Sequence, residues 1–330
     1  MVIGSQQQIP QKGLITANLF YNFTPQGTLL SGTNGVIPSV DTDRRQLILG
    51  EHREIRTITQ TATLDINYGL TDRFGIEVAI PYASKKHQHV DGLGETNGGA
   101  GDLTQFYGSG IGDVKVALKY NVLPTLRSMI VAGIDVYLPT GNWAQNSAVA
   151  GGGAGRMEPT MQIGRGNAGL GGSFYQTYEL IPHRLNEFAF GSYRHTFRNN
   201  FGYQFGDQYD IAVGANLVTV PWLVLTSQIN YRYMVHDTFS SSLAVAQQPG
   251  NPDFPGEPTV LDPTIKNRPV PTTGSTYLAY TPGFQISLRD TTSLYFYSQI
   301  PLVRDFNGNL AQGVSYVFGL TQYFQGPTLF

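Results

Sequence analysis

The chain has 330 residues, a formal net charge of −2 and no cysteine. Near-neutrality gives no electrostatic basis for binding nucleic acid, and the lack of thiols excludes disulfides, thiolate metal sites and a cysteine nucleophile. Charged residues are only 13%, about half the roughly 25% of soluble domains, yet mean hydropathy is −0.16 and no run approaches the ~18 apolar residues of a spanning helix.

Period-two alternation runs through most of the chain. It predicts strands, in order, at about 13–24, 54–68, 73–83, 111–122, 128–139, 168–180, 186–198, 206–218, 222–234, 275–288, 293–303 and 313–324. In the third, Phe74, Ile76, Val78 and Ile80 oppose Arg73, Gly75, Glu77 and Ala79. The fourth sets Val114, Val116, Leu118 and Tyr120 against Asp113, Lys115, Ala117 and Lys119. In the eighth, Tyr209, Ile211, Val213 and Leu217 oppose Gln208, Asp210 and Asn216. One apolar face and one polar face on each segment is the signature of a half-buried strand. Pro282 interrupts the tenth strand, where a lost ladder donor predicts a bulge or irregularity.

The connections alternate short and long. Gly69–Asp72, Leu123–Arg127, Ile181–Asn186, Thr219–Pro221 and Arg289–Thr292 are short and rich in turn formers. Ser31–Arg53, Ala83–Gly110, Thr140–Asn167, Arg198–Phe205, His236–Gly274 and Asp305–Gln312 form the other series. Aromatics fall near both ends of the strands: Tyr68, Phe74, Tyr120, Tyr178, Phe188, Trp222 and Phe324 by the short turns, and Phe23, Tyr82, Tyr231, Tyr233, Tyr277, Tyr280 and Tyr316 by the long connections. Together these features predict an all-β, up-and-down antiparallel transmembrane β-barrel of about 12 strands, one domain over 1–330, with aromatic girdles at both lipid interfaces. An even strand count places both termini beside the short turns, on the periplasmic side of a bacterial outer membrane. That location requires a signal peptide ahead of the numbering. The strand ending at Phe324 is followed by Pro327 and a final Phe330, which leaves two readings: a tail, or a lone terminal aromatic completing the assembly signal.

Several segments carry a resemblance. Tyr68-Gly69-Leu70-Thr71-Asp72-Arg73-Phe74-Gly75 is followed by Ile80-Pro81-Tyr82; Gly110-Ile111-Gly112-Asp113 opens the fourth strand; Leu138-Pro139-Thr140-Gly141 closes the fifth; and Gln299 to Gly308 lies near the end. The pattern resembles outer-membrane proteins of the meta-pathway phenol-degradation family, over roughly residues 54–324. The resemblance implies a barrel and a transport role; its motifs are turns and strand caps and carry no chemistry.

The polar parity assigns a lumen lined by Asp65, Arg73, Glu77, Asp113, Lys115, Asp135, Asp210, Gln228, Asn230, Arg232, Gln285 and Gln299, with Lys119 beside them. Mixed sign argues against strong ion selectivity, and opposite charges on neighbouring strands offset each other's desolvation. Catalysis is not expected: Ser192 and His195 are three apart, which in a strand sends them to opposite faces. No cofactor or metal site is assigned. His87-Gln88-His89 reads as a solvated loop pair, Gly151–Gly155 as a flexible loop lacking a phosphate-binding ending, and Asp253, Glu257 and Asp262 as solvated carboxylates. The expected partners are outer-membrane lipid and a small-molecule solute, aromatic or apolar solutes among them, taken up passively. Ala83–Gly110, Thr140–Asn167 and His236–Gly274 are candidates to fold inward as constrictions. The alternative is a plugged structural barrel whose long loops dock a surface protein.

Overall fold

The computed structural model describes residues 10–35, 53–91, 102–145, 159–200, 202–240, 269–270 and 273–326. Alternating segments become strands: β1 Leu14–Gly32, β2 Arg53–Gly69, β3 Phe74–Asp91, β4 in two pieces at Asp102–Ile111 and Val114–Asn121, β5 Ser128–Leu138, β6 Gly169–Ile181, β7 Leu185–Thr196, β8 Gln208–Val220, β9 Leu223–Met234, β10 Ser275–Arg289, β11 Thr292–Gln312 and β12 Ser315–Gln325. Each pairs antiparallel with its neighbour, and β12 pairs with β1 from Leu14↔Gln325 to Phe23↔Tyr316, closing a barrel of 12 strands. Closure gives every strand two partners, so no row of backbone donors faces lipid.

Parity sorts the side chains. Leu19, Leu64, Phe74, Ile80, Leu118, Ile134, Ile211, Val213, Leu225 and Phe318 project outward and are exposed. Glu77, Lys119, Asp135, Asp210, Gln228 and Asn230 project inward and are buried. An apolar exterior around a polar interior is the arrangement of a transmembrane barrel. Along β3 the outward residues change from Phe74, Ile76, Val78, Ile80 and Tyr82 to Ser84, Lys86 and Gln88, which marks where the strand leaves hydrocarbon. β1 has 19 residues; at about 3.3 Å each it is roughly 60 Å long, and a tilt of about 45° still leaves a rise of roughly 43 Å against about 30 Å of hydrocarbon. The wall therefore rises well above the membrane at β1–β4.

That height corrects three expectations. Most of Ala83–Gly110 is strand, not loop: Tyr82 to Asp91 pair with Ile111 to Asp102. Asp305–Gln312 is also strand, because Phe306–Gln312 pairs with Gly32–Gln26 of β1, with a bulge at Gly308 (φ 70°). β1 itself runs past Thr24 to Gly32. A bulge at Gly112–Asp113 divides β4: Lys115, Lys119 and Asn121 face inward below it and Phe106 above it, so the inward parity reverses across the extra residue. At Pro282, no ladder pair forms to β11 between Tyr280↔Ile300 and Gly283↔Tyr297, while the register shift itself sits at Leu278/Ala279. The runs at 36–52, Gly151–Gly155, the three loop carboxylates and Phe330 lie outside the described residues.

Two girdle assignments also change. Phe188 and Tyr277 point inward and are 2% exposed, unlike Phe74, Tyr178, Trp222, Tyr82, Tyr233 and Tyr316, which face lipid. Three inward aromatics are each matched by a glycine directly across the ladder: Phe188↔Gly214, Tyr295↔Gly319 and Tyr297↔Gly283. A Cβ at Gly283 would stand 2.1 Å from Cδ1 of Tyr297, and one at Gly319 2.4 Å from Cζ of Tyr295. The ring lies flat over the bare backbone, a known device for protecting strand glycines. Gly283→Val is expected to expel the Tyr297 ring and to destabilise the barrel by about 1–3 kcal/mol, read as a lower urea midpoint in detergent. An unchanged midpoint would show that the ring has room to move.

Candidate functional site

The inward faces of β2 to β5 bring charges together because period-two spacing stacks them in register. Glu77 accepts hydrogen bonds from both Lys115 and Lys119, and its side chain is 2% exposed. Lys119 also donates to Oδ1 of Asn67 at 3.3 Å, and Asn67 donates to Asp65 at 2.9 Å. Asp135 is buried in the same group. On β8 and β9, Nε of Arg232 donates to Asp210 at 2.8 Å, and Gln208 donates to the second Asp210 oxygen at 2.6 Å. Arg194 of β7 lies with its guanidinium carbon 3.9 Å from the centroid of the Tyr137 ring, a stacked cation.

These groups surround a chamber of about 280 Å³, whose lining also includes Phe20, Phe190 and Tyr295. Charge comes from β2–β5 and again from β7–β9 (Arg194, Asp210 and Arg232), and rings come from β1, β5, β7 and β11. The rings continue into packed clusters, one of Val131, Tyr175, Phe188, Phe190 and Ala212, the other of Tyr295, Tyr297 and Val317 with Phe20 against it. At the short-turn end a second recess of about 260 Å³ is lined by Glu179, His183, Arg184, Asn186, Asn216 and Gln285 among others.

Above the chamber the described parts of the β5–β6 connection, 139–145 and 159–168, bond to inward groups of the wall, while 146–158 lie outside the described residues. Lys85, inward on β3, donates to the carbonyls of Thr160 (2.9 Å) and Gln162 (2.8 Å). Asp113, at the β4 bulge, accepts from the N–H of Gly141 (3.2 Å) and of Arg165 (3.1 Å). Arg165 crosses to donate to Thr196 at 2.9 Å on β7, and its guanidinium sits 5.0 Å from the Phe205 ring centroid. Trp143, Met161 and Gln162 are buried there. A small ladder of Tyr203–Gln204 with Thr238–Phe239 packs beside them. Tyr203 donates its hydroxyl to Asp237 at 2.5 Å, and Gly206 donates its N–H to the other carboxylate oxygen at 2.7 Å. Burial pushes the Asp237 carboxyl up against the effect of these bonds.

Of the twelve residues assigned to the lumen, Asp65, Glu77, Lys115, Asp135, Asp210 and Arg232 line the chamber. Asp113 anchors the inserted connection. Gln228 and Asn230 are buried in a bonded patch with Thr281 (Thr281 to Asn230, 2.8 Å), and Gln299 is bonded to Gln312 at 2.9 Å. Gln285 lies at the short-turn recess, 3.0 Å from Ser293. Arg73 stands outside the chamber, exposed at the β2–β3 turn, with its guanidinium 3.2 Å from the Tyr120 hydroxyl. Ser192 lines the chamber while His195 takes the opposite parity and contacts Asp207 at 2.7 Å. Sequence reading missed Arg194, Tyr137, Phe190 and Tyr295. Cross-strand glycines are the signal that could have found Tyr137 and Tyr295, which face Gly169 and Gly319; Phe190 faces Ala212 and Tyr175 and carries no such mark.

No described protein family matches the chain, and no curated protein does. Solved structures do. An outer membrane channel from Pseudomonas putida F1 superposes with a TM-score of 0.61 at 11% identity, over 98% of this chain and 100% of that one. The transport unit of the autotransporter AIDA-I from Escherichia coli gives 0.49 at 11% identity, over 98% and 93%. The toluene transporter TbuX of Ralstonia pickettii gives 0.46 at 11%, over 96% and 90%. At such identities the likeness is one of fold: the chain has the architecture of outer-membrane β-barrels.

Proposed function

We propose that the protein is a passive channel for small molecules in the bacterial outer membrane, with its termini and short turns in the periplasm. The observation that carries this reading is the chamber of about 280 Å³ within the barrel, lined by charged groups together with aromatic rings. An apolar cavity of about 150 Å³ holds benzene, so the chamber accommodates a one-ring solute bearing polar substituents. The ring would lie against Phe190 and Tyr295 while its polar groups meet the charged side chains of the lining. The turn and cap motifs that resemble the phenol-degradation family support transport in general, as does the channel role named for the Pseudomonas putida F1 neighbour.

In planar bilayers the purified protein is expected to give discrete conductance steps. Liposomes containing it should take up phenols faster than sugars, and Phe190→Ala with Tyr295→Ala should erase that preference while leaving sugar flux unchanged or higher. Equal rates for all solutes in the wild type would remove the aromatic specificity. One observation favours a second reading, a plugged scaffold whose long loops dock another protein: the inserted connection occupies the upper lumen. Electrical silence from folded protein would select it.

A further inference from the structure

Above the level where β3 leaves hydrocarbon, the inward wall carries a cluster that the chamber does not use. The inward parity of β3 runs from Glu77 up through Lys85 to His87 and His89. On β2 the ladder pairs Thr57↔His87, Arg56↔Gln88 and Glu54↔His89, leaving Ile55 as an extra residue. Without that bulge Glu54 would share the outward parity of Arg56. With it, Glu54 turns inward beside Thr57, the re-aiming that bulges produce.

The polar atoms converge. Nε2 of His87 is 2.9 Å from Oε2 of Glu54 and 3.2 Å from Nδ1 of His89. All three ligand atoms lie within 4.8 Å of one another. A tetrahedral ion with bonds of about 2.0–2.1 Å holds its ligand atoms roughly 3.3 Å apart, so little rearrangement is needed. Oγ1 of Thr57 is 2.8 Å from Nδ1 of His87. A hydroxyl rotates between donor and acceptor; by accepting from Nδ1–H it leaves the Nε2 lone pair for an ion, the outer-shell arrangement that orients metal-binding histidines. The imidazoles are 4% and 2% exposed, and the Phe106 ring, 5.0 Å from His89 and 6.2 Å from His87 between centroids, closes one side. The pair is therefore not the solvated loop its polar neighbours suggested.

We propose that Glu54, His87 and His89 form a binding site for a divalent transition-metal ion of the zinc type, with its remaining coordination position open to water in the upper lumen. Two imidazoles and one carboxylate suit Zn²⁺, Ni²⁺ or Cu²⁺, whereas Ca²⁺ and Mg²⁺ favour sites built of oxygen alone. Lys85 follows two residues below His87 and holds the inserted connection. An ion would thus brace the wall from which that connection hangs.

The test is Zn²⁺ binding to the full-length barrel in detergent, stripped with chelator and measured by equilibrium dialysis against micromolar Zn²⁺ with excess Mg²⁺. About one equivalent per chain is expected. His89→Gln and Glu54→Gln should weaken binding at least tenfold, and Thr57→Val about ten- to a hundredfold through the lost outer-shell bond. His195→Ala and His236→Ala should bind as the wild type does. Folding is checked by heat-modifiable gel mobility, and His89→Gln serves where His87→Ala fails to fold. Sub-stoichiometric binding by the wild type, or full binding by folded His89→Gln, would overturn the site and leave a closed hydrogen-bonded patch. The measurement needs no conductance, so it stands or falls apart from the channel reading.

Discussion

Replacing Glu77 with glutamine is expected to destabilise the barrel by about 3–5 kcal/mol, because it strands buried positive charge. Glu77 is the shared acceptor of Lys115 and Lys119; its side chain is 2% exposed, that of Lys119 5% and that of Lys115 24%. Removing the anion leaves two ammonium groups facing each other across the gap. Removing one cation leaves Glu77 with the other. The expected order of damage is therefore Glu77→Gln, then Lys119→Met, then Lys115→Met, whose head group has water within reach. Urea unfolding into and out of detergent micelles measures it. Asp65 and Asp135 stand nearby and soften the loss without replacing the direct bonds. In whatever fraction folds, the chamber has lost a negative charge, so the reversal potential in a salt gradient should move toward that of the anion. A Glu77→Gln barrel as stable as the wild type, with unaltered selectivity, would mean that the triad contributes neither to folding nor to the field in the lumen.

Excising the inserted connection should raise conductance several-fold. Its two ends meet: a Cβ on Gly141 would lie 2.5 Å from the Gly164 Cα, and Gly164 donates its N–H to the carbonyl of Asn142 at 2.9 Å. Joining Gly141 directly to Arg165 thus removes Asn142–Gly164 without pulling β5 from β6, since the two ends already adjoin. Asp113 keeps both of its backbone donors, the N–H groups of Gly141 and Arg165. Lys85→Met is the gentler form: it removes the donor to Thr160 and Gln162 and should lengthen open times in single-channel records while leaving the fully open current unchanged. If the excised barrel folds and conducts no better than the parent, the constriction lies lower, among the inward rings of Tyr175, Phe188 and Tyr297.

The barrel was legible because each spanning strand meets two solvents. Lipid on one face and a polar lumen on the other force period two, and Val114–Tyr120 or Tyr209–Leu217 display it without reference to any neighbour. The charged half of the chamber followed from the same parity, which is why Glu77, Lys115, Asp135, Asp210 and Arg232 stood out. Above the membrane the rule lapses. Ser84-Lys85-Lys86-His87-Gln88-His89 is polar on both faces, so it read as loop although it pairs residue for residue with β2 and β4. Its strand character comes from partners, not from its own pattern.

The alternation of lipid-facing and inward side chains and the positions of the short turns were written locally, since each depends on residues close together along the chain. What occupies the lumen was not. Whether Glu54 meets His87 turns on a one-residue bulge, whether Tyr297 lies flat turns on a glycine across the ladder, and whether Arg165 reaches Thr196 turns on how a connection folds back. Each is a meeting between positions far apart in the chain, set by register, and a slip of one residue would send every one of those side chains to the opposite face.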